Sequence, residues 1–225
     1  MANITLTASD GHTFGAYEAK PAGILSAGIV VVQEIFGVNS HIRSICDRLA
    51  AEGYVAIAPA IFDRFEPDFE TGYTAENVEL AKTLLPKFDM GKCLLDVAAA
   101  RDAVASAGTI GIVGFCLGGS VAFAAATRLE GFSAASSFYG GMTQKFADEK
   151  AHCPVQFHYG ADDAGIPPEN YLEVKAKQAD AEFYVYENAG HGFHCDARAS
   201  FAPAASALAW RRTLDFFAKH VAVGV

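Results

Sequence analysis

The chain has 225 residues, 52% of them hydrophobic and 19% charged, and 17 Lys and Arg against 26 Asp and Glu leave a formal charge of −9. At this size a fold exposes roughly 10,000 Å² against roughly 34,000 Å² unfolded, so about 70% of the surface can enter one large core. The composition excludes a disordered chain. The acidic balance excludes nucleic acid or an anionic membrane as the main partner, and no apolar run approaches the ~20 residues of a membrane helix.

The first residues lack a basic flank followed by an apolar stretch, so no export signal is read. Ile4–Thr7 and Phe14–Ala19, separated by Asp10-Gly11, predict an antiparallel hairpin. Gly28–Gln33 is a continuous β-branched run, as for a strand buried on both faces. Ile42, Ile45, Cys46 and Leu49 have helical spacing, and Glu52-Gly53 closes that helix. Tyr54–Ala58 reads as a strand, and a polar loop follows from Asp63 to Tyr73. Helices are predicted over 75–85 and 91–106, a strand over 109–113 and a small-residue helix over 117–129. Strands at 134–139 and 154–159, a helix at 168–179, a strand at 182–186 and a last helix over about 200–220 complete the chain. In that last helix Trp210, Leu214, Phe217 and Val221 define the expected core face. Strand and helix alternate without a linker or repeat. The predicted fold class is therefore α/β, one domain over 1–225, with a mostly parallel sheet covered by helices on both faces. In such sheets functional groups gather in the loops beyond the carboxyl ends of the strands.

Five cysteines (46, 93, 116, 153 and 195) are irregularly spaced, with no C-x-x-C pair to hold zinc or form a dithiol motif. Together with the missing export signal, they point to a reducing cytoplasm. Cys46 and Cys93 read as small buried hydrophobes. Cys116 is different, because Gly114-Phe115-Cys116-Leu117-Gly118 joins a predicted strand directly to a predicted helix. This is a G-x-C-x-G nucleophile elbow: flanking glycines permit a sharp turn that presents the central side chain at a helix N-terminus, where a thiolate is favoured. A nucleophile there needs a base, and the base an orienting acid, in the chain order nucleophile, acid, histidine. Asp162 and Asp163 follow one late strand, and either satisfies that order. Among seven histidines, His191 alone is flanked by glycines after a late strand. His158 reads as a core residue inside its strand, and His194 as a residue at the site's rim.

With these residues in place, the chain resembles the dienelactone hydrolase (carboxymethylenebutenolidase) family of α/β-hydrolases. The resemblance rests on Gln33-Glu34-Ile35-Phe36-Gly37-Val38-Asn39, Phe88-Asp89-Met90, the Gly114–Gly119 elbow, the Gly160–Pro167 loop and Ala189-Gly190-His191-Gly192-Phe193, in family order and across nearly the whole chain. It implies a triad of Cys116, His191 and Asp163, with Asp163 selected by the family's spacing to Pro167. It also implies oxyanion donors at the backbone N–H groups of Leu117 and Ile35, and a Glu34 that contacts the resting thiol until substrate displaces it. From the residues alone, Glu34 closes an apolar strand, an expensive place for an unpaired carboxylate.

One departure bears on substrate. The family's two carboxylate-gripping arginines fall at Val78 and Cys195, neither of which can replace a guanidinium. Either another cation serves, with Arg198 and Arg64 as candidates and Phe36 as a further substrate contact, or the substrate lacks that carboxylate. The expected activity is hydrolysis of a small-molecule lactone or ester by a monomer that needs no metal or organic cofactor. A broad short-chain carboxylesterase or thioesterase is the alternative within the enzyme class. A redox role for Cys116 and a non-catalytic binding scaffold are the readings outside it.

Overall fold

The computed structural model describes residues 4–23 and 27–221; the ends of the expected 1–225 domain, residues 1–3 and 222–225, lie outside them. Eight strands form one sheet: β1 (Ile4–Thr7), β2 (Thr13–Ala19), β3 (Ala27–Val32), β4 (Tyr54–Pro59), β5 (Ile110–Phe115), β6 (Ala134–Phe138), β7 (Val155–Gly160) and β8 (Glu182–Tyr186). The order is β1-β2-β4-β3-β5-β6-β7-β8. The β1–β2 hairpin runs antiparallel, and β2 joins β4 antiparallel; every later pairing is parallel. Burial follows position. The strands from β3 to β7 are buried at every residue, which is why they read as unbroken apolar runs, whereas the edge strand β1 alternates.

Six helices cover the sheet: α1 (Ser40–Ala51), α2 (Ala75–Lys82), α3 (Met90–Ala103), α4 (Leu117–Arg128), α5 (Pro168–Lys177) and α6 (Pro203–His220). Gly28 faces Val104 at the end of α3, while Gly111 faces Ile29 together with Phe217 and Val221 from α6. Ile29 and Gly111 are register partners, and neighbours along a strand point to opposite faces, so α3 and α6 lie on opposite sides. On the α6 side, Arg48 of α1 stacks over Trp210 at 4.1 Å. Residues Leu117 to Thr127 of α4 are buried, as the small-residue reading requires for a helix pressed onto a sheet.

Three helices depart from their expected bounds by up to three residues. The 75–85 helix stops at Lys82, and a separate 3₁₀ turn, Leu85–Lys87, carries Pro86. The next begins at Met90 because the Asp89 carboxylate caps it, accepting from Lys92 N–H at 2.9 Å, and it ends at Ala103. The last begins at Pro203, a residue suited to a first turn, rather than near 200. Its buried row also differs. Ser206, Ala209, Thr213, Phe216 and Phe217 face inward, and Trp210 and Leu214 flank them half-buried. Phe217 and Val221 of the expected face are buried, and the expectation passed over Phe216 and the smaller Ser206, Ala209 and Thr213.

Candidate active site

The elbow forms where β5 meets α4. Cys116 sits at φ 56° and ψ −115°, in the left-handed region that costs a side-chain-bearing residue roughly 1–3 kcal/mol. A Cβ on Gly114 would run into the Gly118 carbonyl, and one on Gly118 into the Val32 carbonyl. Glycine at both flanks is therefore a steric requirement. The turn leaves the Cys116 side chain partly exposed over the sheet's carboxyl edge, and the Cys116 N–H is held by the Phe138 carbonyl at 3.0 Å.

The loops after β7 and β8 complete a row of hydrogen bonds. His191 Nε2 lies 3.1 Å from Cys116 Sγ, and its Nδ1 lies 2.7 Å from Asp163 Oδ2. The Asp163 carboxylate is fully buried, and its Oδ1 accepts from Gly165 N–H at 2.9 Å, while Asp162 is exposed. Of the two acids that chain order left open, Asp163 is the one beside His191. The two loops are tied together by Asp162 N–H to the Ala189 carbonyl at 3.0 Å, and Ser200 Oγ donates to the His191 carbonyl at 2.7 Å. Burial pulls the His191 pKa down, but the negative charge of Cys116 and the Asp163 carboxylate outweigh it, raising it to about 10. A thiol so placed can pass its proton to the imidazole and stand as a thiolate beside an imidazolium. Leu117 opens α4, so its N–H has no carbonyl one turn earlier in the helix to bond, and Ile35 is buried just beyond β3.

A second set of groups flanks the thiol. Glu34, which the resemblance sets against the resting thiol, is fully buried and has two hydrogen-bond partners of its own. Its Oε1 accepts from Arg198 Nη1 at 2.9 Å and its Oε2 from the Tyr73 hydroxyl at 2.9 Å, while the thiol is left to His191. Tyr73 reaches Glu34 because the Asp63–Tyr73 loop folds back: Gly37 bridges to Glu70, Thr71 N–H bonds the Phe36 carbonyl at 3.0 Å, and Asn39 Nδ2 donates to the Tyr73 hydroxyl at 3.0 Å. Arg198 occupies the space that a side chain at Gly192 (φ 77°) would need, and lies over the rings of Phe36 and Tyr73. Burial works against its charge, and Glu34 and Cys116 more than restore it.

The expected substrate contacts separate in space. Arg198 stands in the site. Phe36 is 2% exposed and supports Tyr73 and Arg198 rather than offering a free face. Arg64 lies elsewhere, clamped by Asp96 at 2.7 Å and Asp10 at 2.8 Å, so its guanidinium serves as an internal tie. Val78 is half-buried on α2, and Cys195 is fully buried. His194 is not at the rim: it is 2% exposed, stacked on Phe115 and Trp210, bonded to Ser206 Oγ at 2.9 Å, and held by burial down to about pKa 3. Two site residues escaped the sequence reading. Tyr73 lay in a loop read only as polar. Tyr139 takes φ 39° after β6, its ring 5.2 Å from His191, and its buried hydroxyl has no hydrogen-bond partner.

The chain resembles known proteins over most of its length. The profile of the dienelactone hydrolase family matches residues 14–221. The chain belongs to the dienelactone hydrolase family. It is 37% identical to the carboxymethylenebutenolidase of Pseudomonas putida, over 96% of this chain and 95% of that one. The crystal structure of a provisionally named dienelactone hydrolase from Klebsiella pneumoniae superposes with a TM-score of 0.83 at 32% identity, covering 96% of this chain and 99% of that one. A dienelactone hydrolase-like promiscuous phosphotriesterase, P91, from metagenomic libraries shares the fold with a TM-score of 0.77 at 21% identity, over 96% and 97%. The protein is a hydrolase of the dienelactone hydrolase type with an α/β-hydrolase fold. Among the described residues, no helix is long and apolar enough to cross a membrane.

Proposed function

We propose that this enzyme hydrolyses a small-molecule lactone or ester through Cys116, with His191 as proton carrier and Asp163 orienting the imidazole. The observation that carries the reading is the Cys116–His191–Asp163 row, with separations of 3.1 and 2.7 Å at the carboxyl ends of three strands. The thiolate attacks the carbonyl carbon, and the resulting oxyanion takes hydrogen bonds from the Leu117 and Ile35 N–H groups. As the tetrahedral adduct collapses, the carbon–oxygen bond breaks and the imidazolium gives its proton to the leaving oxygen. Neutral His191 then draws a proton from water, the hydroxide adds to the thioester, and the thiolate departs with its imidazolium restored. A thioester intermediate favours lactones and activated enol esters over amides.

Arg198 is the cation beside the thiol, and it is the group that would pair with a carboxylate on the substrate. The missing guanidinium at Val78 and Cys195 favours a second reading, a broad short-chain esterase that ignores such a carboxylate. The test compares cis- and trans-dienelactone with a p-nitrophenyl ester panel, using the wild type, Cys116→Ala and His191→Ala. Each substitution is expected to lower kcat by at least about 1,000-fold. Unchanged hydrolysis in both variants overturns the mechanism. Ester turnover with neither lactone cleaved selects the second reading.

A further inference from the structure

Behind the Glu34–Arg198 pair, a carboxylate oxygen of Glu34, a ring nitrogen of His41 and Cys195 Sγ all lie within 4.8 Å of one another. Glu34 and Cys195 are fully buried and His41 is 5% exposed. We propose that these three side chains form a site for a thiophilic divalent cation, with Zn²⁺ the ion whose ligand chemistry fits. Carboxylate, imidazole and thiolate are the mixed oxygen, nitrogen and sulfur donors that zinc takes, whereas calcium and magnesium call for oxygen alone.

His41 supplies the independent observation. Its Nε2 is buried without a hydrogen-bond partner, a costly state for a polar atom. Its Nδ1 faces the Asp196 carboxylate at 3.6 Å. A ring with one nitrogen toward a carboxylate and the other unengaged has the arrangement of a metal-bound histidine and its supporting acid.

Charge and access agree. Glu34 and a deprotonated Cys195 bring two negative charges to the dication, the first of them shared with Arg198. On binding, the Cys195 S–H bond breaks, its proton goes to solvent and a metal–sulfur bond forms, with no change of oxidation state. One Glu34 oxygen must exchange a present partner for the metal, and the neutral Tyr73 hydroxyl is the partner held less strongly than Arg198. Tyr73, which bonds Glu34, also lines an open surface cleft of ≈ 490 Å³ with Asn39, Thr71 and Ala197. The three ligands are scattered at 34, 41 and 195, which is why no metal-binding spacing appears in the sequence. A filled site takes the Glu34 carboxylate from Tyr73 and disturbs its pair with Arg198, the cation beside the thiol, and so slows turnover. That effect rests on the proposed function, but the binding does not.

The test is a titration with Co²⁺, followed by Zn²⁺ competition, on Cys116→Ser protein, so that the active-site thiol cannot bind the probe. The expected result is one equivalent bound, with a thiolate-to-cobalt charge-transfer band that Zn²⁺ abolishes. Adding Cys195→Ser removes the band, and adding His41→Ala weakens binding by at least about 100-fold, since even supporting residues outside the ligand sphere are worth 10–100-fold. Either second substitution suffices if the other prevents folding. Absence of the band in Cys116→Ser protein, or its survival in both double variants, overturns the site. Loss of hydrolysis in Cys116→Ser is read separately and bears only on the catalytic reading.

Discussion

His158 and His191 are both held through both ring nitrogens, yet their surroundings drive them in opposite directions. On β7, His158 Nδ1 meets the Tyr186 hydroxyl at 2.8 Å, and its Nε2 meets Gln156 Oε1 at 2.7 Å and Thr213 Oγ1 at 3.2 Å. All of these partners are uncharged, so burial prevails and the ring is held neutral, its pKa well below the ordinary value, with His194 and Arg212 adding to the fall. At His191 burial also acts downward, but a carboxylate on one side and a thiol able to ionise on the other reverse the result. Hydrogen-bond count does not separate a structural histidine from a reactive one; the charge of the partners does.

The largest test of that contrast is Asp163→Asn, which keeps the shape and removes the charge. The His191 pKa is expected to fall from about 10 toward the ordinary imidazole value. Because the imidazolium protonates the leaving group, the alkaline limb of the kcat/KM profile moves down with it. The sign for stability follows from the raised pKa: the His191 contribution is complete below about 6.5 and is lost as pH rises through about 10. Asparagine also accepts poorly from Nδ1–H, so kcat is expected to fall by roughly 100- to 10,000-fold. An unshifted alkaline limb would remove Asp163 from the explanation.

Much of this contrast was visible in the sequence, and the part that was not has a physical cause. The elbow was legible because Gly114, Cys116 and Gly118 act on one turn, and their steric demand is local. His191 and His158 were separable because one stood between glycines and the other inside an apolar strand. Glu34 was marked as an expensive charge, but its partner Arg198 lies 164 residues away and is brought near by loops whose paths no local pattern specifies. Arg64 and Arg198 looked alike for the same reason, and what distinguishes them is the partners the fold brings, Asp96 and Asp10 to one and Glu34 to the other. His194 was misjudged because a position three residues after His191 says nothing about which way a chain of turns carries its side chain.

A smaller effect is expected from Tyr186→Phe, which removes the hydroxyl at His158 Nδ1 and adds no charge. A buried ring nitrogen left without its partner costs about 1–3 kcal/mol, measurable by denaturant unfolding at pH 7. Activity should remain close to wild type, because this network touches neither Cys116 nor Asp163. The parallel loss at β8 and β7 would be structural, and a large fall in kcat with unchanged stability would break the division between the two histidines.

The smallest test is Arg212→Met. The guanidinium lies 4.0 Å from the Tyr184 ring centre and 5.5 Å from that of Tyr186, contacts worth about 0.5–1 kcal/mol at an exposed or half-exposed site. That much stability should be lost at pH 7. The same positive charge, however, helps to keep His158 unprotonated. With its folded pKa depressed, His158 contributes stability that is present above about 6.5 and is lost as pH falls, because the unfolded chain takes up the proton first. Removing Arg212 makes protonation in the folded state easier and so reduces that acid loss. The stability gap between Arg212→Met and wild type should therefore narrow once the pH is low enough for His158 to take up a proton in the folded state. A gap that stays constant down to the pH of acid unfolding would take Arg212 out of the account of why His158 stays neutral.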